Sequence, residues 1–335
     1  MGRPIVNTTL ASIAALTVSA VLIATTALAL ETYKARDLVQ ARYGPRESEF
    51  GFKDYDGEYL GALFFAVASG GAIYVYDGIK GDIKVFGNSG AFAKTIKAEA
   101  WQVGDLFPAD MTLTSNGDIY VLYETSDPQD CYKVFLTAAG IDTVRSVPVA
   151  DPSSFCHSGD DGRIYGAAGI VSDEHGNVYL ADWRTWKSRK LTSRGRVLPD
   201  SAQSSSLREG VPVSTGGFMS YCPRGSRSQK ICGLVLRDEA GKLVRDWSKL
   251  QGVPVGIDKL GNVYLGMFMI SEHPAYTKII KYSPDGSLLA VIDIPMSGGI
   301  TNQYGKHWIV GTDGSIYEMI GTRESVRVRK WERVR

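Results

Sequence analysis

The 335-residue sequence is poor in the residues that most catalytic chemistries require. It has four histidines and four cysteines, and no GxSxG elbow, Walker A loop, HExxH helix or EF-hand pattern. The usual nucleophilic-hydrolase, nucleotide and metalloprotease readings therefore lack their residues. A formal net charge of +1 gives no global attraction for nucleic acid or anionic lipid, so electrostatic recognition must be local and no nucleic-acid partner is expected. No cysteine pair has CxxC spacing, and none follows the N-terminal apolar run where a lipoprotein anchor would need one. With 44% hydrophobic and 22% charged residues, the composition excludes a disordered chain and permits a large core.

Charge is also absent from Pro4 to Leu30, a stretch rich in Ala, Leu, Ile and Val behind Arg3. Residues 1–30 read as a signal peptide or a transmembrane anchor, in either case an N-terminal hydrophobic helix. Ala27 and Ala29 offer a small-x-small cleavage pattern, while the run is long enough to span a bilayer. Lys34, Arg36, Arg42 and Arg46 follow within a segment, 31–46, that reads as a linker. If the anchor stays, they argue for a cytoplasmic domain. The cysteines argue the other way. Cys131 with Cys156, and Cys222 with Cys232, form two sequence-local pairs suited to loop-closing disulfides in an oxidising compartment, although four separate buried thiols would leave the same count. The expected location is extracytoplasmic, periplasmic or secreted, with contact to the membrane through the N-terminal segment if it is not removed.

The rest of the chain is repetitive. A Gly turn followed by a β-rich triplet recurs at Gly71-Ala72-Ile73-Tyr74-Val75, Gly117-Asp118-Ile119-Tyr120-Val121, Gly176-Asn177-Val178-Tyr179-Leu180, Gly261-Asn262-Val263-Tyr264-Leu265 and Gly314-Ser315-Ile316-Tyr317. A second hairpin follows each time, starting at Ile83, Tyr132, Ser188, Cys232, Lys278 and Val326, so units start 44 to 56 residues apart. That is the length of four short strands with turns, a propeller blade. The fourth unit lacks a clean triplet near Gly217, yet its hairpin from Cys232 to Trp247 is well formed. The expectation is an all-β, six-bladed β-propeller of four-stranded blades over 47–335, its last blade completed by an N-terminal strand from Glu47 to Leu60 that removes the open sheet edges.

Asp173-Glu174-His175-Gly176-Asn177-Val178-Tyr179-Leu180-Ala181-Asp182 and Asp258-Lys259-Leu260-Gly261-Asn262-Val263-Tyr264-Leu265 carry a resemblance to the NHL-repeat family. Ile83-Lys84-Val85-Phe86 and Tyr132-Lys133-Val134-Phe135 match its third strand. The resemblance implies a fold and no particular activity. Such propellers include lyases with a metal in the central channel and calcium-dependent lactonases.

In such a blade the first-to-second and third-to-fourth turns share one end of the wheel, and here they read as uniformly tight. The other connections read as long and varied: 97–110, 148–169, 183–187, 199–216, 223–230, 266–277 and 295–306. Long connections gathered at one end mark the binding surface. Its candidate ligand- or partner-binding residues are Trp183, Arg184, Trp186, Tyr276, Tyr304, Asp110 and His307. Arg208, Arg224, Arg227 and Lys230 add a basic lip. Trp with Arg suits sugar, peptide or protein recognition through stacking and cation–π contact, and inter-blade packing explains the Trp rings equally well.

His157, His273 and His307 come from three blades and are the candidate metal ligands; solvated loop histidines are the plainer account. Asp173 and Asp258 occupy the repeat's own turn position, where a carboxylate caps backbone N–H groups. Asp110 falls instead at the channel position that His307 takes in the last blade. The leading expectation is a non-enzymatic scaffold propeller at the cell envelope, with no cofactor, binding a protein or a small polar ligand. The alternative is a zinc- or calcium-dependent lyase or lactonase. A third is a structural subunit of a membrane complex, whose small residues Ala11, Ser12, Ala14, Ala15, Ser19 and Ala20 permit close helix approach.

Overall fold

A computed structural model describes residues 30–55, 58–97, 106–125, 132–137, 144–148, 156–158, 164–166, 168–182, 187–191, 207–209, 211–213, 217–222, 233–250, 252–269, 276–295 and 308–334. The described chain is an all-β propeller with no helix, so none is long and apolar enough to cross a membrane. The N-terminal apolar segment 1–29 lies outside the described residues.

Six four-stranded antiparallel sheets follow one another. Sheet one comprises Ala62–Val67, Ile73–Asp77, Asp82–Phe86 and Phe92–Lys97. Sheet two comprises Leu106–Leu113, Ile119–Thr125, Tyr132–Thr137 and Val144–Pro148, and sheet three Ala168–Ser172, Val178–Asp182, Lys187–Lys190 and Leu207–Glu209. Sheet four comprises Val211–Pro212, Phe218–Cys222, Gly233–Arg237 and Leu243–Trp247, and sheet five Val253–Ile257, Val263–Met269, Tyr276–Tyr282 and Leu288–Pro295. Sheet six comprises Trp308–Val310, Ile316–Gly321 and Ser325–Arg333, and its fourth strand is Tyr33–Arg42 from the other end of the chain.

The hydrophobic cores lie between sheets rather than within them. Phe64, Tyr76, Ile83 and Ile96 of sheet one meet Met111, Val121 and Tyr123 of sheet two. Ala181 of sheet three, Met219 and Trp247 of sheet four, and Val263 and Leu265 of sheet five form a second cluster. Tyr264, Ile279 and Ile292 pack against Ile316 and Trp331 of sheet six. Val39, Tyr317 and Val328 of sheet six meet Phe65, Val75 and Phe86 of sheet one, which brings the last sheet back to the first. A sheet buried on both faces needs near-continuous apolar strands, and Asp82–Phe86 is buried throughout.

Two sequence expectations are corrected here. The segment 31–46 is no linker: Tyr33–Arg42 pairs antiparallel with Ser325–Arg333, Tyr33 opposite Arg333 and Arg42 opposite Ser325. Within 47–60, Lys53–Tyr55 and Glu58–Leu60 form only a small hairpin with each other. The closing strand was hidden by its exposed residues. Lys34, Arg36, Gln40 and Arg42 point outward while Val39 and Ala41 are buried, an alternation that reads as a charged flank when only charges are counted.

The second correction concerns sheet three. Gly195 suggests a tight turn closing a hairpin over Ser188–Leu198, but Lys187, Ser188 and Arg189 pair instead with Glu209, Arg208 and Leu207. Residues 192–206 therefore join the third strand to the fourth, and leave from the end of the wheel where the other sheets make tight turns. A Gly signals a local reversal, but which segment covers a sheet edge is a tertiary choice. Where the tight turns are described, they carry left-handed glycines, including Gly71, Gly90, Gly117, Gly176, Gly241, Gly261, Gly286 and Gly314.

Candidate functional site at the loop end

Strand direction assigns each connection to an end. Segments 126–131, 183–186, 223–232 and 270–275 join second to third strands, and 296–307 joins sheets five and six. All leave from the end at which the first strands begin. Trp183, Arg184, Trp186, Tyr304, His273 and His307 belong to these segments and lie outside the described residues. Tyr276 begins the third strand of sheet five at this end. His157 is on Cys156–Ser158, which pairs with Ile164–Gly166 on the way from sheet two to sheet three. The side chains of His157 and Tyr276 lie outside the described set. So do Cys131 and Cys232, one member of each cysteine pair.

Asp110 is described in full. It sits on the first strand of sheet two, opposite Leu122 and just after a β-bulge that follows the Pro108–Tyr123 pair, and is 5% exposed. One carboxylate oxygen accepts the Met111 N–H at 2.8 Å, and the other accepts the Ile170 N–H from sheet three at 2.9 Å. First strands of propeller sheets have one edge unpaired, so their N–H groups along the channel need acceptors. Asp110 supplies one and ties two sheets together. Beside it, the Ser172 hydroxyl donates to the Leu113 carbonyl at 2.6 Å and lies 3.3 Å from the Thr112 hydroxyl.

Asp173 and Asp258 behave as turn caps. Asp258 accepts the Leu260 and Asn262 N–H groups at 2.9 and 3.0 Å, the Asn262 side-chain amide at 2.8 Å, and the Tyr264 hydroxyl at 3.0 Å. Asp173 repeats the pattern with His175, Asn177 and Tyr179. Their oxygens are directed at the turn, not the channel. His175 sits on that turn, 3.7 Å from Glu174 and 3.8 Å from Glu239.

Sequence reasoning missed two buried charge clusters. In sheet one, fully buried Lys84 lies 3.2 Å from Asp82 and 3.9 Å from Asp77, and donates to the Glu47 carbonyl at 2.8 Å. Burial nevertheless holds the Asp82 carboxyl above the usual carboxylate range, with Lys84 opposing it. Asp77 accepts the Gly51 N–H, and Lys80 donates to the Arg46 and Glu49 carbonyls, so the chain returning from sheet six is strapped across sheet one. At the opposite end of the wheel Lys281 donates to Glu31 at 2.7 Å and lies 3.9 Å from Asp258, while Arg333 donates to the other Glu31 oxygen at 3.0 Å. The available signal was a lysine inside an apolar strand, Ile83-Lys84-Val85 and Ile280-Lys281-Tyr282. A lysine there is retained only when its charge is met.

Among the described residues no three His, Cys, Asp or Glu side chains are grouped to hold a metal ion. The side chains of the candidate ligands His157, His273 and His307 are not among those described.

No family model matches this chain, and no curated protein matches it. Among solved structures it is similar to a virginiamycin B lyase from Staphylococcus aureus, with 11% identity over 90% of this chain and 100% of that one and a TM-score of 0.48. A PQQ-bound aldose sugar dehydrogenase from Streptomyces coelicolor shows 11% identity, 90% and 99% coverage and a TM-score of 0.45. A gluconolactonase from Xanthomonas campestris shows 10% identity, 89% and 99% coverage and a TM-score of 0.43.

Proposed function

We propose that the six sheets are the blades of one wheel of NHL type, and that this wheel is an extracytoplasmic enzyme of the lyase or lactonase class acting on a small polar substrate at its loop end. The observation that supports the reading is topological: the three connections whose sequence contains His157, His273 and His307 all leave from the end where the first strands begin. Imidazoles arriving there from different sheets suit a divalent ion at the channel mouth, where it would supply Lewis-acid chemistry. Trp183, Arg184 and Trp186 would flank the substrate, the guanidinium meeting a carboxylate or ring oxygen and the indoles a sugar-like or macrocyclic face. Asp110 takes a positioning part: with both oxygens on backbone N–H groups, it fixes the spacing of sheets two and three and is poorly placed to accept a substrate proton.

Metal analysis of the purified full chain, with melting in added zinc or calcium, tests this. The expected result is one bound equivalent and a raised Tm, both lost in His307→Ala. A chain that holds neither ion and melts unchanged in both overturns the reading. In that case the same end serves as a non-enzymatic docking surface, favoured by the short 183–186 connection that gathers two Trp and an Arg between strands of sheet three. Trp183→Ala with Arg184→Ala would then release a stoichiometric partner.

A further inference from the structure

The opposite end of the wheel bears an apolar patch at the point where the N-terminal segment enters. Leu260, at the tip of the first turn of sheet five, is 69% exposed, Val334 52%, Leu30 47% and Leu288 40%. Described contacts bring the segments that carry these four together. The Glu31 N–H donates to the Leu289 carbonyl, next to Leu288, and the Val334 N–H donates to Thr32, two residues from Leu30. Lys281 joins Glu31 to Asp258, two residues from Leu260. A methyl group placed on Gly261 would touch Pro284 of the neighbouring turn. Four large apolar side chains left in water on segments that meet at one rim mark a contact surface.

We propose that this rim, the turn end of sheets five and six, rests on a lipid bilayer, so that the loop end faces away from the membrane. What covers the patch is indicated by the chain itself. The uncharged run from Leu10 to Leu30 is of bilayer-spanning length and ends at Leu30, inside the patch. Glu31 follows it directly and is held by Lys281 and Arg333, so the point of entry is fixed on the rim. The charges nearby are balanced: Lys259 precedes Leu260, Asp285 is exposed on the adjoining turn, and Arg333 is paired with Glu31. The rim therefore takes the interfacial zone of a bilayer through its leucines and not through attraction to anionic headgroups.

The test uses the full chain inserted in phosphatidylcholine vesicles, with the photo-crosslinker benzoylphenylalanine replacing Leu260, Leu288 or Glu324 in turn. Glu324 is exposed on the connection between the second and third strands of sheet six, at the loop end. Lipid adducts are expected at 260 and 288 and none at 324, unchanged when phosphatidylglycerol is added. Hydrogen exchange of the unmodified chain gives a second reading, with residues 259–261 slowed by vesicles and 322–324 unaffected. Adducts at 324 alone or equally at all three sites, adducts at none, or cross-links to a second copy of the chain each overturn the proposal.

Discussion

Replacing Asp258 with Ala tests the claim that the repeat's recurring carboxylates hold turns rather than a channel ion. Four donors converge on this side chain, which is 2% exposed. They would not all be stranded. The Tyr264 hydroxyl already has the Gly314 carbonyl at 3.1 Å as a second acceptor, and the Leu260 N–H lies in a half-exposed turn open to water. The Asn262 N–H and side-chain amide are buried with no such recourse. At about 1–3 kcal/mol for each of these two buried unsatisfied donors, the loss should be about 2–6 kcal/mol. Lys281 adds little to this, since Glu31 at 2.7 Å remains its partner. Urea unfolding followed by tryptophan fluorescence measures it: the midpoint should fall with the slope unchanged. Chelator should shift both proteins equally or not at all, because Asp258 spends its oxygens on turn donors and holds no ion. A loss under about 0.5 kcal/mol, the range of an ordinary surface change, would refute the capping argument, as would a midpoint that chelator lowers in wild type but not in the variant.

Other expectations follow from the same geometry. Gly90→Ala should destabilise far more than Gly286→Ala: both are left-handed, but a methyl at Gly90 runs into the Leu38 carbonyl of the closing strand, whereas nothing lies near Gly286. Thermal melts should show a loss of about 1 kcal/mol for the second and well beyond that for the first. For Glu31, burial pushes the carboxyl up, but hydrogen bonds from Lys281 and Arg333 outweigh it and hold it below its ordinary 4.5. Its stabilisation is thus complete above that value and disappears as pH falls through the lower folded value. The stability gap between wild type and Glu31→Gln should be flat at neutral pH and close in acid, as read by denaturant midpoints across pH. Glu318 has the opposite sign. Burial holds its carboxyl above the usual range despite the Trp331 indole N–H donated at 3.2 Å, so the charged form costs stability once pH exceeds 4.5. Glu318→Gln, which keeps an acceptor for Trp331, should unfold at the same or higher denaturant at neutral pH. Asp110→Ala should lower the urea midpoint by removing the carboxylate that accepts the Met111 and Ile170 N–H groups and ties sheets two and three, costing about 1–3 kcal/mol.

The repeat was legible because each unit carries its own local chemistry. A Gly that takes positive φ, an Asp two or three residues before it, and a Tyr after it are short-range necessities of one turn, so Asp173 and Asp258 were assignable without a structure. Strands with both faces buried likewise announce themselves as apolar runs. Closure was different. Tyr33–Arg42 finds Ser325–Arg333 across nearly the whole chain, and nothing within the strand names a partner that distant. The same holds for Leu207–Glu209, chosen over residues nearer the Gly turn. Lys84 and Lys281 show the remaining gap: each looks like a misplaced charge in its strand, and its partners, Asp82 with the Glu47 carbonyl for one and Glu31 for the other, meet it only in the folded wheel. Local turn and strand chemistry was thus determined by the sequence alone. Which segments close the wheel, which charges meet, and which end is left apolar were decided by packing, because those depend on residues brought together only when the wheel is complete.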